Sequence, residues 1–301
     1  MARLRPQSRT KLIGRVDGVS SLPPGVHAAR NNRLNDLDSS EWVRLTKSWF
    51  VCDGRAQDIT EDIRLHPASF PPDMVERFIK FFTKEGETVF DPFVGTGSTL
   101  VAAYNLRRNS IGIELNPEFY ENARKRIERL QGQQDLFGTY TMRIIHGDAM
   151  EMDSMGIPEV DFCITSPPYA DMLRHSRGNV DSVQKMRLKA GYPTSYGEDP
   201  RNLGNISDYD QYIAALTAVF LKVKKILKRG RYLVVVLQNF RDETGTMRPL
   251  AWDVAKELAK HYLMQQEFIW CQNQKPLGCW GYPSAYVSNV HHHYCLVFKN
   301  G

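Results

Sequence analysis

The five residues Thr165-Ser166-Pro167-Pro168-Tyr169 place a serine hydroxyl, two rigid rings and an aromatic side chain in one short stretch. They follow residues 160–164, an apolar run typical of a buried strand. Two consecutive prolines cannot continue a sheet ladder, so the strand must end here and the chain must turn. Because ligands bind at the carboxyl ends of strands in open α/β sheets, this elbow is a candidate site. On its own, such a stretch is more often a simple turn with a buried tyrosine.

A second candidate site lies upstream, in the glycine-rich run Asp91-Pro92-Phe93-Val94-Gly95-Thr96-Gly97-Ser98. No lysine follows Gly97, which argues against a loop that binds a nucleoside triphosphate. Leu100 stands where the dinucleotide fingerprint requires a small residue, which weakens the NAD interpretation without excluding it. The run therefore predicts a turn that binds a nucleoside cofactor.

Two carboxylates lie where they could complete that cofactor site. Glu114 stands 19 residues after Gly95, at the end of the next predicted strand, where a carboxylate can accept both hydroxyls of a ribose. Asp148 stands at the end of the third predicted strand, and its carboxylate could accept a hydrogen bond from the amino group of an adenine. A turn or capping role for Asp148 is equally compatible with the sequence.

The order of the predicted elements indicates the fold. Seven strands alternate with helices, which is the pattern of a doubly wound, mostly parallel α/β sheet. A short helix capped at Asp38 is also predicted, extending through Trp49. We expect one catalytic domain over residues 36–301. The predicted strands cover residues 88–90, 110–115, 141–145, 160–165, 232–237, 268–272 and 294–299.

The net charge of +5 is concentrated near the N-terminus. Residues 1–33 contain seven basic side chains and Asp17 as the single acid, so the rest of the chain is close to neutral. We predict a basic flexible arm over residues 1–35. Such an arm suits a polyanionic partner, although its charge is equally compatible with a solvated tail.

Five segments of the chain occur in a fixed order: His66-Pro67-Ala68-x-Phe70-Pro71, the run from Asp91 to Thr99, Ile111-Gly112-Ile113-Glu114, Gly147-Asp148 and the elbow. As an ordered set, they resemble the motifs of N4-cytosine and N6-adenine DNA methyltransferases. The resemblance implies the Rossmann-like class I methyltransferase fold, S-adenosylmethionine as cofactor and no metal. The cofactor motif precedes the catalytic motif here, whereas a common arrangement with the His-Pro-Ala block has the reverse order. The predicted cofactor-binding residues are Phe70, Asp91, Phe93, Gly95, Thr96, Gly97, Ser98, Glu114, Asp148 and Thr165.

The elbow suits the chemistry that this resemblance implies. The lone pair of an exocyclic amine is conjugated with its ring and is a poor nucleophile, so acceptors for its two N–H groups would redirect it toward the methyl group. Ser166 and the Pro167 carbonyl are the candidates, and proline's fixed φ preorganises them. Tyr169 would stack on a base flipped from the duplex. The predicted catalytic residues are Ser166, Pro167, Pro168 and Tyr169.

The resemblance also bears on substrate and partners. Relatives with serine before Pro-Pro-Tyr usually methylate cytosine, and those with aspartate or asparagine usually methylate adenine. We therefore expect N4-cytosine methylation of double-stranded DNA, with a cognate restriction endonuclease as partner. Methylation of adenine N6, methylation of RNA, and DNA binding by a non-catalytic regulator remain alternatives, although a pure binder needs no such elbow. Residues 170–205 are the candidate DNA-recognition insertion, through Arg174, Arg177, Lys185, Arg187 and Lys189.

The sequence lacks the features of a membrane-spanning, secreted or metal-binding protein. No apolar run is long enough to span a membrane, and the N-terminus has no apolar signal core. The five cysteines form no C-x-x-C pair and indicate reduced thiols, so we expect a cytoplasmic protein. Adjacent side chains of His291-His292-His293 alternate faces in a strand, which argues against a metal site there.

Overall fold

The computed structural model describes residues 32–54, 71–131, 140–169, 197, 199–242, 246–275, 277, 283–284 and 286–301. Most of the predicted basic arm lies outside these residues, as does Phe70 with the His-Pro-Ala block. The five basic residues predicted to contact DNA, from Arg174 to Lys189, also lie outside them. Their predicted roles stay predictions.

The described residues form helices and strands in alternation. The helices are α1 Ser39–Leu45, α2 Pro72–Phe82, α3 Ser98–Asn105, α4 Pro117–Gln131, α5 Tyr209–Ile226 and α6 Leu250–Leu258. The strands are β1 Trp49–Val51, β2 Thr88–Asp91, β3 Asn109–Glu114, β4 Met142–His146, β5 Val160–Thr165, β6 Leu227–Leu237, β7 Phe240–Arg241, β8 Met247–Arg248, β9 Leu263–Cys271 and β10 His292–Lys299. Short 3-10 turns cover Ala149–Ser154 and Leu203–Asn205.

One sheet organises the molecule, with strands in the order β1-β9-β10-β6-β5-β2-β3-β4. Strands β2 to β6 are parallel to one another, and β10 runs antiparallel between β6 and β9. This arrangement confirms the predicted doubly wound, mostly parallel sheet. The described part of the sheet has eight strands, because β1 adds to the edge of the seven that were predicted.

The additional strand replaces the end of a predicted helix. The capping box of Asp38 with Glu41 begins α1 as expected, but the helix ends at Leu45 and does not extend through Trp49. Trp49 instead pairs in parallel with Ile269 at the edge of β9. Aromatic and β-branched residues favour strands when an edge is available, and an unpaired edge of β9 can accept one.

Both faces of the sheet are buried, which explains why β5 is buried at every position. Val89, Phe162 and Val234 pack on one face with α2 and α3, whereas Phe90, Cys163 and Leu233 pack on the other with α5 and α6. Parallel strands end at a common edge, so the residues that follow β2, β3, β4 and β5 lie near one another. The predicted cofactor turn and the predicted elbow both lie at this edge.

Candidate active site

Asp91, the last residue of β2, joins three elements beneath the site. Its Oδ1 accepts hydrogen bonds from Thr165 Oγ1 at 2.5 Å and from the Phe93 N–H at 3.0 Å, and its Oδ2 accepts one from Thr99 Oγ1 at 2.5 Å. Burial raises the pKa of Asp91 to about 6, against the lowering effect of these donors. Asp91 and Thr165 therefore hold β2, β5 and α3 together, as supports of the cofactor turn.

The glycine-rich turn after Asp91 depends on left-handed backbone. Gly95 has φ of 55° and Gly97 has φ of 86°, a region that glycine adopts without a Cβ penalty. The Thr96 Oγ1 and Ser98 Oγ atoms are buried, and neither has a hydrogen-bond partner among the described residues. Since buried polar atoms are normally paired, these two hydroxyls fit a site that is completed by a polar ligand.

The turn lies directly against β3, at Gly112. A Cβ built on Gly112 would come within 2.7 Å of Val94 Cβ and within 2.9 Å of both Val94 methyl groups. The Val94 N–H also donates to the Ile113 carbonyl at 3.0 Å. A glycine at this position therefore allows the cofactor turn and the end of β3 to approach closely.

Glu114, the last residue of β3, links this strand to the glycine-rich turn by a hydrogen bond. Its Oε2 accepts a hydrogen bond from the Gly95 N–H at 2.9 Å, and its Oε1 accepts one from the Asn116 N–H at 2.7 Å. Burial raises the pKa of Glu114 to about 7, and the charge of Asp91 also raises it. Each carboxylate oxygen keeps a second lone pair, so both can still accept a ligand hydroxyl.

The elbow follows β5 at the same edge. Ser166 and Pro168 line the cleft, whereas the Tyr169 side chain is only 7% exposed. Burial raises the pKa of Tyr169, and its hydroxyl lies near Ser166 and the Gln238 backbone. No described group reaches this hydroxyl with hydrogen-bonding geometry. Stacking of Tyr169 on a base would therefore require its ring to become exposed.

A single cleft joins the two predicted halves of the site. It encloses about 540 Å³ when the solvent at its mouth is included. Phe93 and Glu114 line it from the cofactor turn and β3, and Asp148 lines it from beyond β4. Ser166 and Pro168 of the elbow also line it. Three predicted cofactor residues and two elbow residues thus share one cavity, whereas, among the described residues, Asp91, Gly95, Thr96, Gly97, Ser98 and Thr165 do not line it.

Asp148 caps a turn and also lines the cleft, a position compatible with the predicted contact with an adenine. Its Oδ1 accepts a hydrogen bond from the Met150 N–H at 2.8 Å and so caps the following 3-10 turn. The same residue lines the cleft, as expected for a contact with an adenine amino group. A capping carboxylate retains lone pairs for such a contact.

Nine further residues line the cleft, and three of them lie far in the sequence from the predicted motifs, namely Arg201, Asn202 and Leu203. Arg201 forms an ion pair with Asp199, with 2.7 Å between Nη2 and Oδ2, and Asn202 caps a 3-10 turn by accepting from the Gly204 N–H. They lie in a stretch without apolar periodicity, between the elbow and α5. Only the cap preference of Asn202 offered a local signal, because their place in the cleft depends on tertiary packing.

The described residues offer neither a metal site nor a membrane-spanning helix. Among them, no three or more His, Cys, Asp or Glu side chains converge as a metal site. None of the described helices is long and apolar enough to cross a bilayer. His293 stacks on Trp270 with 4.6 Å between ring centroids, and burial lowers its pKa to about 3.

Similarity to a known protein family covers the part of the site formed by the glycine-rich turn and Glu114, but not the elbow. A family model described as DNA methylase, of the N6/N4 type, matches residues 27–125. The type II methyltransferase M.BglI of Bacillus subtilis is 36% identical over 105 residues, which are 35% of this chain and 28% of that protein. M.MjaI of Methanocaldococcus jannaschii is 43% identical over 74 residues, which are 23% of each chain.

A third relative agrees with these two. The type II methyltransferase M2.DpnII of Streptococcus pneumoniae is 48% identical over 63 residues, which are 21% of this chain and 24% of that protein. The matches thus span about a quarter of the length of these relatives. Through this shared segment, the chain is similar to the amino-methyltransferases of the N6/N4-type DNA methylase family.

Proposed function

We propose that this protein is a DNA methyltransferase that transfers a methyl group from S-adenosylmethionine to the N4 amine of cytosine. The observation that carries the proposal is the single cleft lined by Glu114 and also by Ser166 and Pro168. A methyl donor and an amine must meet in such a cleft, at the distance of a single reacting bond. The names of the relatives, type II methyltransferases, support a DNA substrate and a restriction endonuclease as partner.

The charges of the cleft favour this cofactor over a dinucleotide. Glu114 and Asp148 contribute carboxyl groups, while the single described guanidinium at the cleft, that of Arg201, is already paired with Asp199. An acidic cleft attracts a cationic ligand and repels a pyrophosphate. S-adenosylmethionine carries a sulfonium and an ammonium, whereas NAD carries two phosphates.

The chain's own residues orient the acceptor amine. Ser166 Oγ and the Pro167 carbonyl accept its N–H hydrogens, which turns the nitrogen lone pair toward the methyl group. When bound, S-adenosylmethionine supplies that methyl group in an activated form, on sulfur. Glu114 would hold the ribose of the cofactor through its carboxylate oxygens. Because the target amine is inaccessible in a duplex, the base must flip into the cleft, and Tyr169 must then become exposed to stack on it.

Two substrate classes compete with cytosine in DNA. Ser166 at the head of the elbow supports cytosine, by resemblance to relatives with the same motif. Adenine N6 would use the same acceptors, since it too is an exocyclic amine. In RNA, an unpaired base could reach the cleft without flipping from a duplex.

Nucleoside mass spectrometry distinguishes these substrates. Unmethylated plasmid DNA and total RNA would each be incubated with the full chain and isotope-labelled S-adenosylmethionine, with Ser166→Ala as the control variant. We expect labelled N4-methylcytosine in the DNA, at a reduced level with the variant. Labelled N6-methyladenine alone would overturn the cytosine assignment, and label confined to RNA would overturn the DNA assignment. No label in either nucleic acid would refute the proposed function.

A further inference from the structure

The backbone of the elbow is anchored by a residue that lies 44 positions away in the sequence. Tyr212, on α5, is fully buried, and its hydroxyl donates a hydrogen bond to the Pro168 carbonyl at 2.8 Å. The N-terminus of this helix is capped just before Tyr212, because the Asp208 side chain accepts a hydrogen bond from the Gln211 N–H at 2.8 Å. Tyr212 also belongs to the core cluster that packs beneath the elbow. The packing of the buried Tyr212 side chain therefore fixes the position of its hydroxyl.

The elbow needs such an anchor because of its two prolines. Proline has no N–H, so neither Pro167 nor Pro168 can be held by donating a backbone hydrogen bond. The ring fixes φ but leaves ψ free, and ψ of Pro168 sets the direction of its carbonyl and of the chain into Tyr169. A hydrogen bond to that carbonyl fixes the remaining angle. With this carbonyl already engaged by Tyr212, the Pro167 carbonyl is the better candidate to accept the target amine.

We propose that Tyr212 is a positioning residue for methyl transfer, whose hydroxyl fixes the Pro168 carbonyl and thereby the orientation of the whole elbow. This inference rests on the proposed function for its kinetic consequence. Tyr212 does not line the cleft, so it acts through Pro168 and Ser166, which do. A small rotation of the elbow moves the acceptors of the amine away from the methyl donor. Misplacement by about 1 Å is enough to slow such a reaction on the order of a hundredfold.

A matched residue separates this role from simple stabilisation of the fold. Tyr262 is also buried, and its hydroxyl donates to the Phe220 carbonyl at 2.7 Å. Phe220 lies on α5, the helix that carries Tyr212, and both tyrosines belong to the same core cluster. Replacing either tyrosine by phenylalanine removes one buried hydrogen bond to a backbone carbonyl and leaves the ring in place. Of these two hydrogen bonds, only that of Tyr212 reaches the elbow.

The experiment compares Tyr212→Phe and Tyr262→Phe in the full chain. Urea unfolding measures stability, titration measures the Kd for S-adenosylmethionine, and steady-state kinetics separate kcat from KM for DNA. We expect similar losses of stability and a Kd within about twofold of wild type for both variants. Only Tyr212→Phe should lose kcat, on the order of tenfold to a hundredfold. Equal kcat in the two variants would overturn the positioning role.

A second measurement does not depend on turnover. Hydrogen–deuterium exchange of the peptide containing residues 161–169 reports the rigidity of the elbow even if the wild-type chain methylates no nucleic acid. Faster exchange in Tyr212→Phe than in Tyr262→Phe supports the anchor. Equal exchange refutes it. Absence of any methylation by the wild type refutes the proposed function separately.

Discussion

Replacement of Glu114 by glutamine tests the most strongly perturbed carboxyl group at the cleft. Burial moves the pKa of Glu114 from its ordinary value of 4.5 to about 7 in the folded protein. A folded-state pKa above the unfolded value means that the folded state favours the protonated form. The associated stability is therefore fully present below pH 4.5 and is lost as the pH rises through 7. Glu114→Gln, which is neutral throughout, lacks this loss.

The magnitude follows from the two pKa values. Each unit of pKa difference corresponds to about 1.4 kcal/mol, so the wild type loses about 3.4 kcal/mol of unfolding free energy in full. About 2.5 kcal/mol of this loss falls between pH 5 and pH 9. The variant also loses one acceptor, because a glutamine oxygen can serve the Gly95 N–H or the Asn116 N–H but not both. That loss costs about 1–3 kcal/mol at every pH and does not change the pH dependence. Asp91 titrates in both proteins, so its contribution cancels apart from its Coulombic coupling to Glu114.

Urea unfolding without cofactor, at pH 5 and at pH 9, gives the difference in free energy of unfolding between wild type and Glu114→Gln. We expect the stability of the wild type relative to the variant to fall by about 2.5 kcal/mol from the lower to the higher pH. Glu118→Gln, in the exposed first turn of α4, is the control and should follow the wild type. A difference that stays constant with pH would refute the idea that burial raises the pKa of Glu114.

Cofactor binding should show the opposite dependence on pH. In the proposed complex the ribose hydroxyls would donate hydrogen bonds to the carboxylate, so binding would favour the charged form of Glu114. We expect the Kd of the wild type for S-adenosylmethionine to rise as the pH falls through 7, approaching about tenfold per pH unit. Titration calorimetry would measure it. A Kd for the wild type that is independent of pH between 5.5 and 8, as expected of Glu114→Gln, would contradict the ribose assignment.

The remaining predictions concern the elbow, the cofactor turn and the arm. Tyr169→Ala should keep the Kd for S-adenosylmethionine and lose turnover, whereas unchanged turnover would remove its assignment to the target base. Gly112→Ala should destabilise the protein by about 1–3 kcal/mol, because its Cβ meets the stiff side chain of Val94. Gly147→Ala meets only the flexible end of a methionine and should cost less than about 1 kcal/mol by urea unfolding. Deletion of residues 1–33 should weaken DNA binding and reduce its salt dependence; a changed methylation site would instead make the arm a specificity element.

Local sequence determined the elements that carry the site. The buried strand before the elbow, the turn with Gly95 and Gly97, and the carboxylate of Glu114 could all be predicted, because each depends on a short run with its own conformational preference. Alternation of these runs was sufficient to predict a parallel sheet. Parallel pairing then places the ends of successive strands at one edge, without further information from the sequence.

Tertiary structure alone decided which side chains line the cleft and which lie beneath it. The Thr165 hydroxyl donates to Asp91 across 74 positions, the Tyr212 hydroxyl donates to Pro168 across 44, and β1 joins β9 at the far edge of the sheet. None of these contacts has a local pattern, because a hydrogen bond between distant segments depends on how whole helices and strands pack. The same packing buries Tyr169 and brings Arg201 to the cleft. Short-range preferences specify the elements, and long-range burial and hydrogen bonding assign their roles.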